Sequence, residues 1–214
     1  MAAMTETELL DRVRGLRQLG RSPKEIARGL HLPPSKVRPL IAALAAEQAD
    51  DPPPLVGCWV SAGWDEGGLA CVLVARAPRY GRVSCCCYLV DTWLLGVKDA
   101  LGPVTMHAAK LPELRARCFA GFDEPPVPAA MELAGHLVWG GVDYARSLGF
   151  EPHPDFAAAA GHLDRPASPC PITFGKDGRP FYVEGPFDDP ERIIGALTHT
   201  ARERDLNFVP AAAG

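Results

Sequence analysis

Residues 22–41, SPKEIARGLHLPPSKVRPLI, carry the densest set of structural signals in the chain. Ser22 can cap a helix, Pro23 suits its first position, and Glu25 completes a capping box. Ile26, Ala27 and Leu30 give that helix an apolar face. His31-Leu32-Pro33-Pro34 then makes a turn. Ser35 is expected to cap a further helix with apolar positions at Val37, Leu40, Ile41 and Leu44. Working outward, Glu8–Leu19 predicts a preceding helix with Leu9, Leu10, Val13 and Leu16 on one side, and Gly20 is its stop signal. On the other flank, Ala49-Asp50-Asp51-Pro52-Pro53-Pro54 ends the last helix and favours an extended spacer. The chain therefore divides into a three-helix domain over 1–48, a linker over 49–54 and a larger domain over 55–209.

The segment resembles the helix-turn-helix superfamily across nearly its whole motif. Ile26 and Ala27 match the slots for an apolar and a small residue in the first helix of the pair. Leu30 and Leu32 flank the turn, and Val37 and Leu40 fill the buried slots of the recognition helix. Two residues depart from the pattern. The turn slot usually given to glycine holds His31, a residue type that tolerates the left-handed region better than most. Pro39 falls inside the third helix, where it removes a backbone hydrogen bond. The resemblance implies that the third helix enters the major groove of double-stranded DNA. Lys36 and Arg38 would then reach bases or phosphates, and Arg21, Lys24 and Ser35 would contact phosphates. Readers of this kind often bind paired half-sites, so a homodimer is expected. Three further segments, VDTWLLGVKDALGP (90–103), YARSLGFEPHPDF (144–156) and FGKDGRPFY (174–182), together resemble a group of uncharacterised bacterial helix-turn-helix proteins. That resemblance implies no activity.

Charge is distributed in the same sense. The net charge is −4, which argues against a protein that coats nucleic acid along its whole surface. Residues 1–48 nevertheless hold eight Lys/Arg against five acids, whereas residues 49–214 hold fourteen against twenty-one. A basic head on an acidic body fits a small DNA-contacting module carried by a domain with another task. Hydrophobic residues make up 47% of the chain and charged residues 22%, ordinary values for a globular protein. No apolar run is long enough to span a bilayer. The start, MAAMTETELLDRV, lacks the basic and apolar regions of a secretory signal, so the expected compartment is the cytoplasm. The seven cysteines include no CxxC pair, and the consecutive Cys85, Cys86 and Cys87 would alternate between faces of a strand. Reduced, mostly buried thiols are expected, with no metal and no cofactor.

The larger domain reads as α+β, an antiparallel sheet with packed helices. Strands are expected over 55–60, 69–75 and 82–89. Asp91 or Thr92 is expected to cap a helix running through Leu101, ended by Gly102-Pro103. Further helices are predicted over 112–120 and 128–148, and from near Pro154. Ile172–Val183 reads as a hairpin with Gly178 in the left-handed position. A last helix opens at Asp189-Pro190 with Ile193, Ile194 and Leu197 facing inward, and the tail from Pro210 is expected to be loose.

Asp91, Lys98 and Asp99 stand out as polar residues in an apolar stretch, and carboxylates at a strand end can hold magnesium. On a helix, however, Asp91 and Asp99 would be separated by ~12 Å of rise, too far to share an ion. The simpler reading makes Asp91 a cap and Lys98 and Asp99 a solvated face. GKDG at 175–178 lacks the spacing of a phosphate-binding loop. Phe174, Phe181, Tyr182 and Phe187 read as packing, and His107, His136, His153, His162 and His199 are scattered. The sequence thus favours a DNA-binding regulator with a sensing or interaction domain over an enzyme. Two alternatives stay open: a nucleic-acid- or nucleotide-processing enzyme using Asp91 or Asp99, and an adaptor whose N-terminal helices bind protein.

Overall fold

The computed structural model describes residues 5–19, 21–47, 53–79, 81–186, 188–200 and 207–209. The chain forms two compact units, one of residues 1–56, 76–84 and 105–111, the other of 57–75, 85–104 and 112–214. Among the described residues no helix is long and apolar enough to cross a membrane.

Three helices occupy the first unit: α1 (Glu6–Gln18), α2 (Pro23–Gly29) and α3 (Pro34–Glu47). The first begins two residues earlier than expected because Thr5 caps it. Thr5 Oγ1 accepts from the Glu8 amide at 3.3 Å, and Glu8 Oε2 accepts from the Thr5 amide at 3.0 Å. Ser22 and Glu25 make the same reciprocal box at the start of α2. Gly20, the expected stop of α1, lies outside the described residues. Ser35 does not cap α3. The helix starts one residue earlier, with Pro34 in its first turn, where a preset φ and a missing N–H do no harm. Val13, Ile26, Ala27, Val37 and Leu44 are buried together, flanked by Leu10, Leu16, Leu30, Leu32, Leu40 and Ile41. Of the proline spacer, Pro53 and Pro54 are described, and both are tied down. Arg76 Nη1 donates to the Pro53 carbonyl at 3.0 Å, and the Ala77 amide donates to that of Pro54 at 2.8 Å.

The mixed α+β body is built on a five-stranded sheet of β1 (Leu55–Val60), β2 (Leu69–Arg79), β3 (Arg82–Asp91), β4 (Gly96–His107) and β5 (Val127–Pro128). The order is β4-β3-β2-β1-β5. Short connections between successive strands require antiparallel pairing, and β5 pairs with β1 in the same sense, Trp59 opposite Pro128. A four-residue helix, α4 (Trp64–Gly67), links β1 to β2. Strand alternation gives the sheet two apolar faces. On one, Cys58, Val60, Val72, Val74, Cys86, Tyr88 and Val90 pack against Ala134, Leu137, Val138 and Val142 of α6 (Met131–Ser147). The other face carries α5 (Leu111–Cys118). There the Arg115 guanidinium lies 5.2 Å from the Trp59 ring centre, and Cys71 Sγ lies 3.4 Å from the Cys118 carbonyl oxygen. Close approach of α6 depends on Gly96. Its φ is +64, and a Cβ there would sit 2.5 Å from the Gly141 carbonyl oxygen.

Residues 91–101 are not a helix. Asp91 ends β3 and accepts three backbone N–H groups, from Trp93 at 2.8 Å, Leu94 at 3.0 Å and Leu95 at 3.1 Å. That carboxylate closes a tight turn, left-handed Gly96 redirects the chain, and the polar–apolar mixture beyond it is the strand β4. The expected 172–183 hairpin shrinks to a single Lys176–Arg179 bridge around Asp177 (φ +54) and Gly178 (φ +75). Its arms separate because the Phe181 amide turns to the Trp93 carbonyl at 3.3 Å. Beyond it, β6 (Phe181–Val183) pairs in parallel with β7 (Asn207–Val209). The short α7 (Phe156–Ala159) packs Phe156 edge-on against Trp139. In α8 (Pro190–Thr200), Ile193 and Leu197 are buried as expected, but Ile194 is exposed. The tail from Pro210 lies outside the described residues.

Candidate functional site

The five residues singled out for DNA contact all belong to the three-helix segment, and all are exposed. Arg21 lies before α2 and approaches Glu25 at 3.7 Å. Lys24 occupies the first turn of α2. Ser35, Lys36 and Arg38 lie in the leading turns of α3, with the Lys36 amide donating to the Pro33 carbonyl at 2.9 Å. Among the described residues, none forms an ion pair with Lys24, Lys36 or Arg38. Val37, between Lys36 and Arg38, is 1% exposed, so helical periodicity turns its neighbours outward. His31 adopts φ +53 in the turn between α2 and α3. The positive end of the α3 dipole adds to the charge of Lys36 near that terminus.

The second unit contains a cleft of about 590 Å3, lined by Leu95, Val97 and Lys98 of the β4 region, by 149–154 after α6, and by α8 with its approach. Lys98 is not the solvated residue expected from sequence. Its Nζ lies 2.8 Å from each carboxylate oxygen of Asp188, which also accepts from the Gly185 amide at 2.8 Å. Tyr182 donates its phenol proton to the same carboxylate at 3.3 Å. Burial first, then Asp188, pushes the phenol well above its usual range, so Tyr182 acts here as a donor. Asp99 is exposed, in line with expectation, but it is not alone. Asp99, His153 and Asp155 form the one group of three metal-ligating side chains that converges among the described residues. Sequence reasoning missed His153 and Asp155 because 54 residues separate His153 from Asp99.

Asp91 is unsuited to catalysis, since its two oxygens are occupied by three backbone donors inside the turn. Another grouping only mimics a hydrolytic triad. Ser168 Oγ lies 3.2 Å from His136 Nε2 and donates to Glu132 Oε1 at 2.6 Å. Both partners sit on the same imidazole nitrogen, so Glu132 cannot orient the ring from its other side as that chemistry requires. The thiols also gather across elements. Cys71 Sγ and Cys87 Sγ are 3.4 Å apart on neighbouring strands, and the Cys118 carbonyl oxygen lies 3.4 Å from the same Cys71 sulfur. All seven cysteines are free thiols. Burial pushes Cys58, Cys85 and Cys86 up to about 11, which keeps them protonated and inert. Of the aromatic residues, Phe174 stacks on Tyr144, Phe181 meets Trp93 edge-on and Tyr182 is buried. Phe187 lies outside the described residues.

No family model, curated protein or solved structure matches the chain. Fold and geometry together define a mixed α+β protein with an exposed basic three-helix surface and a separate polar cleft.

Proposed function

We propose that residues 5–47 are a helix-turn-helix module that binds double-stranded DNA, and that the protein is a DNA-associated regulator acting in the cytoplasm as a homodimer. The observation that carries this reading is the elbow at His31. It takes the left-handed conformation at the slot where the motif usually has glycine, and Ile26, Ala27 and Val37 are buried together behind it. That packing leaves Lys36 and Arg38 exposed at the leading end of α3, where a recognition helix meets base edges. Arg21, Lys24 and Ser35 are available for phosphate contacts that fix register. The body would then sense a ligand or bind a partner.

The test is binding of the full chain to a duplex at several salt concentrations, for the native protein and for Lys36→Ala/Arg38→Ala. The slope of log K against log salt should fall by ~0.9 for each phosphate that is no longer neutralised. The double variant should bind more weakly and depend less on salt. Absence of binding at low salt, or affinity indifferent to the two substitutions, would overturn the reading.

A further inference from the structure

We propose that Asp99, His153 and Asp155 bind one divalent transition-metal ion at the rim of the cleft. The three side chains come from two separated segments held together by backbone. The His153 amide donates to the Val97 carbonyl at 2.9 Å, which fixes the loop beside β4. His153 Nδ1 lies 4.0 Å from Asp99 Oδ1 and 3.8 Å from Asp155 Oδ2. The ligand atoms all fall within 4.8 Å of one another. Metal–ligand bonds of ~2.1 Å place donor atoms roughly 3–4 Å apart, so a small closure of these side chains completes the set.

The electrostatics of the group call for a cation at its centre. The Asp155 amide lies 3.3 Å from His153 Nδ1, a long contact that a metal ion at this nitrogen would replace. A carboxylate oxygen from each of Asp99 and Asp155 lies within 4.0 Å of the same nitrogen. Among the described residues no lysine or arginine pairs with Asp99 or Asp155. Asp99 Oδ1 is held in place by the Ala100 amide at 2.8 Å. Three metal-ligating side chains therefore converge with no lysine or arginine paired to the two carboxylates, an arrangement that a metal ion satisfies. One imidazole with two carboxylates suits Mn2+, Co2+, Ni2+ or Zn2+ better than Mg2+ or Ca2+, which prefer oxygen donors. Three protein ligands leave coordination positions open, and His153 itself lines the cleft.

The probe is Mn2+, titrated into the full chain and followed by electron paramagnetic resonance, with pulsed measurements for coupling to ligand nitrogen. One Mn2+ should bind per chain with a histidine nitrogen coupling. His153→Gln should abolish that coupling and weaken binding at least tenfold. Asp99→Asn with Asp155→Asn, both exposed and therefore safe for folding, should weaken binding at least as much. Circular dichroism and thermal melting verify that each variant is folded. Absence of Mn2+ binding below millimolar, a nitrogen coupling that survives His153→Gln, or unchanged affinity in the double asparagine variant would overturn the assignment.

Discussion

His31 occupies left-handed backbone space at φ +53, a conformation that costs a residue with a Cβ ~1–2 kcal/mol. Glycine avoids this cost but makes the unfolded chain freer. We expect His31→Gly to raise the stability of the three-helix segment by up to ~1 kcal/mol, and His31→Val to lower it, as read from urea denaturation. Asp91 poses the opposite case, a buried acid that the backbone needs. Removing its carboxylate in Asp91→Ala strands three amide donors, and the expected loss is about 3 kcal/mol. Burial raises its folded-state pKa despite those three hydrogen bonds. The folded chain therefore keeps the proton to higher pH than the unfolded chain does. The stabilising contribution is complete below the ordinary aspartate range and disappears as pH rises through the folded-state value. Denaturation measured across acidic to neutral pH should show this falling limb, and Asp91→Ala should remove it.

At the level of elements, α3 carries a built-in weakness. Pro39 lies within it and cannot donate to the Ser35 carbonyl. Pro39→Ala restores that bond and should stabilise the segment by up to ~3 kcal/mol, seen as a higher denaturation midpoint and added helical circular dichroism. The elements that the sequence made legible are those specified locally. Ser22–Glu25 announces α2, the apolar positions Leu9, Leu10, Val13 and Leu16 announce α1 though not its Thr5 cap, and the apolar period of α6 runs almost unbroken from Met131 to Ser147. Where partners are distant, local signals mislead. LLGVKDALGP has a composition that either a helix or an edge strand accepts. The Asp91 turn, left-handed Gly96 and pairing with β3 decide for the strand. The turn at Asp177-Gly178 is readable from two residues, but β6 pairs with residues 207–209, which no local signal near 181 could indicate. The exposed basic residues of α3 are legible in the same local way. The Asp99–His153–Asp155 group is not, because it exists only once β4 and the loop after α6 are side by side.

Across the whole molecule, burial sorts the seven cysteines into reactive and inert. Cys170 is exposed, whereas Cys58, Cys85 and Cys86 are buried thiols raised to about 11. A colorimetric thiol reagent at neutral pH should label Cys170 at once and those three only on unfolding, with the fast phase abolished in Cys170→Ser. Equal labelling rates for all seven would contradict this packing. The division of charge, with a basic excess in residues 1–48 and an acidic one beyond them, leads to the central claim that the leading turns of α3 meet DNA. The most direct measurement places a photo-crosslinking side chain at position 36 of the full chain and, as a control, at exposed Leu19. The account predicts crosslinking to duplex DNA from position 36, suppressed by unlabelled duplex and by salt, and little from position 19. No crosslink from position 36, or equal yields from both positions, would contradict it.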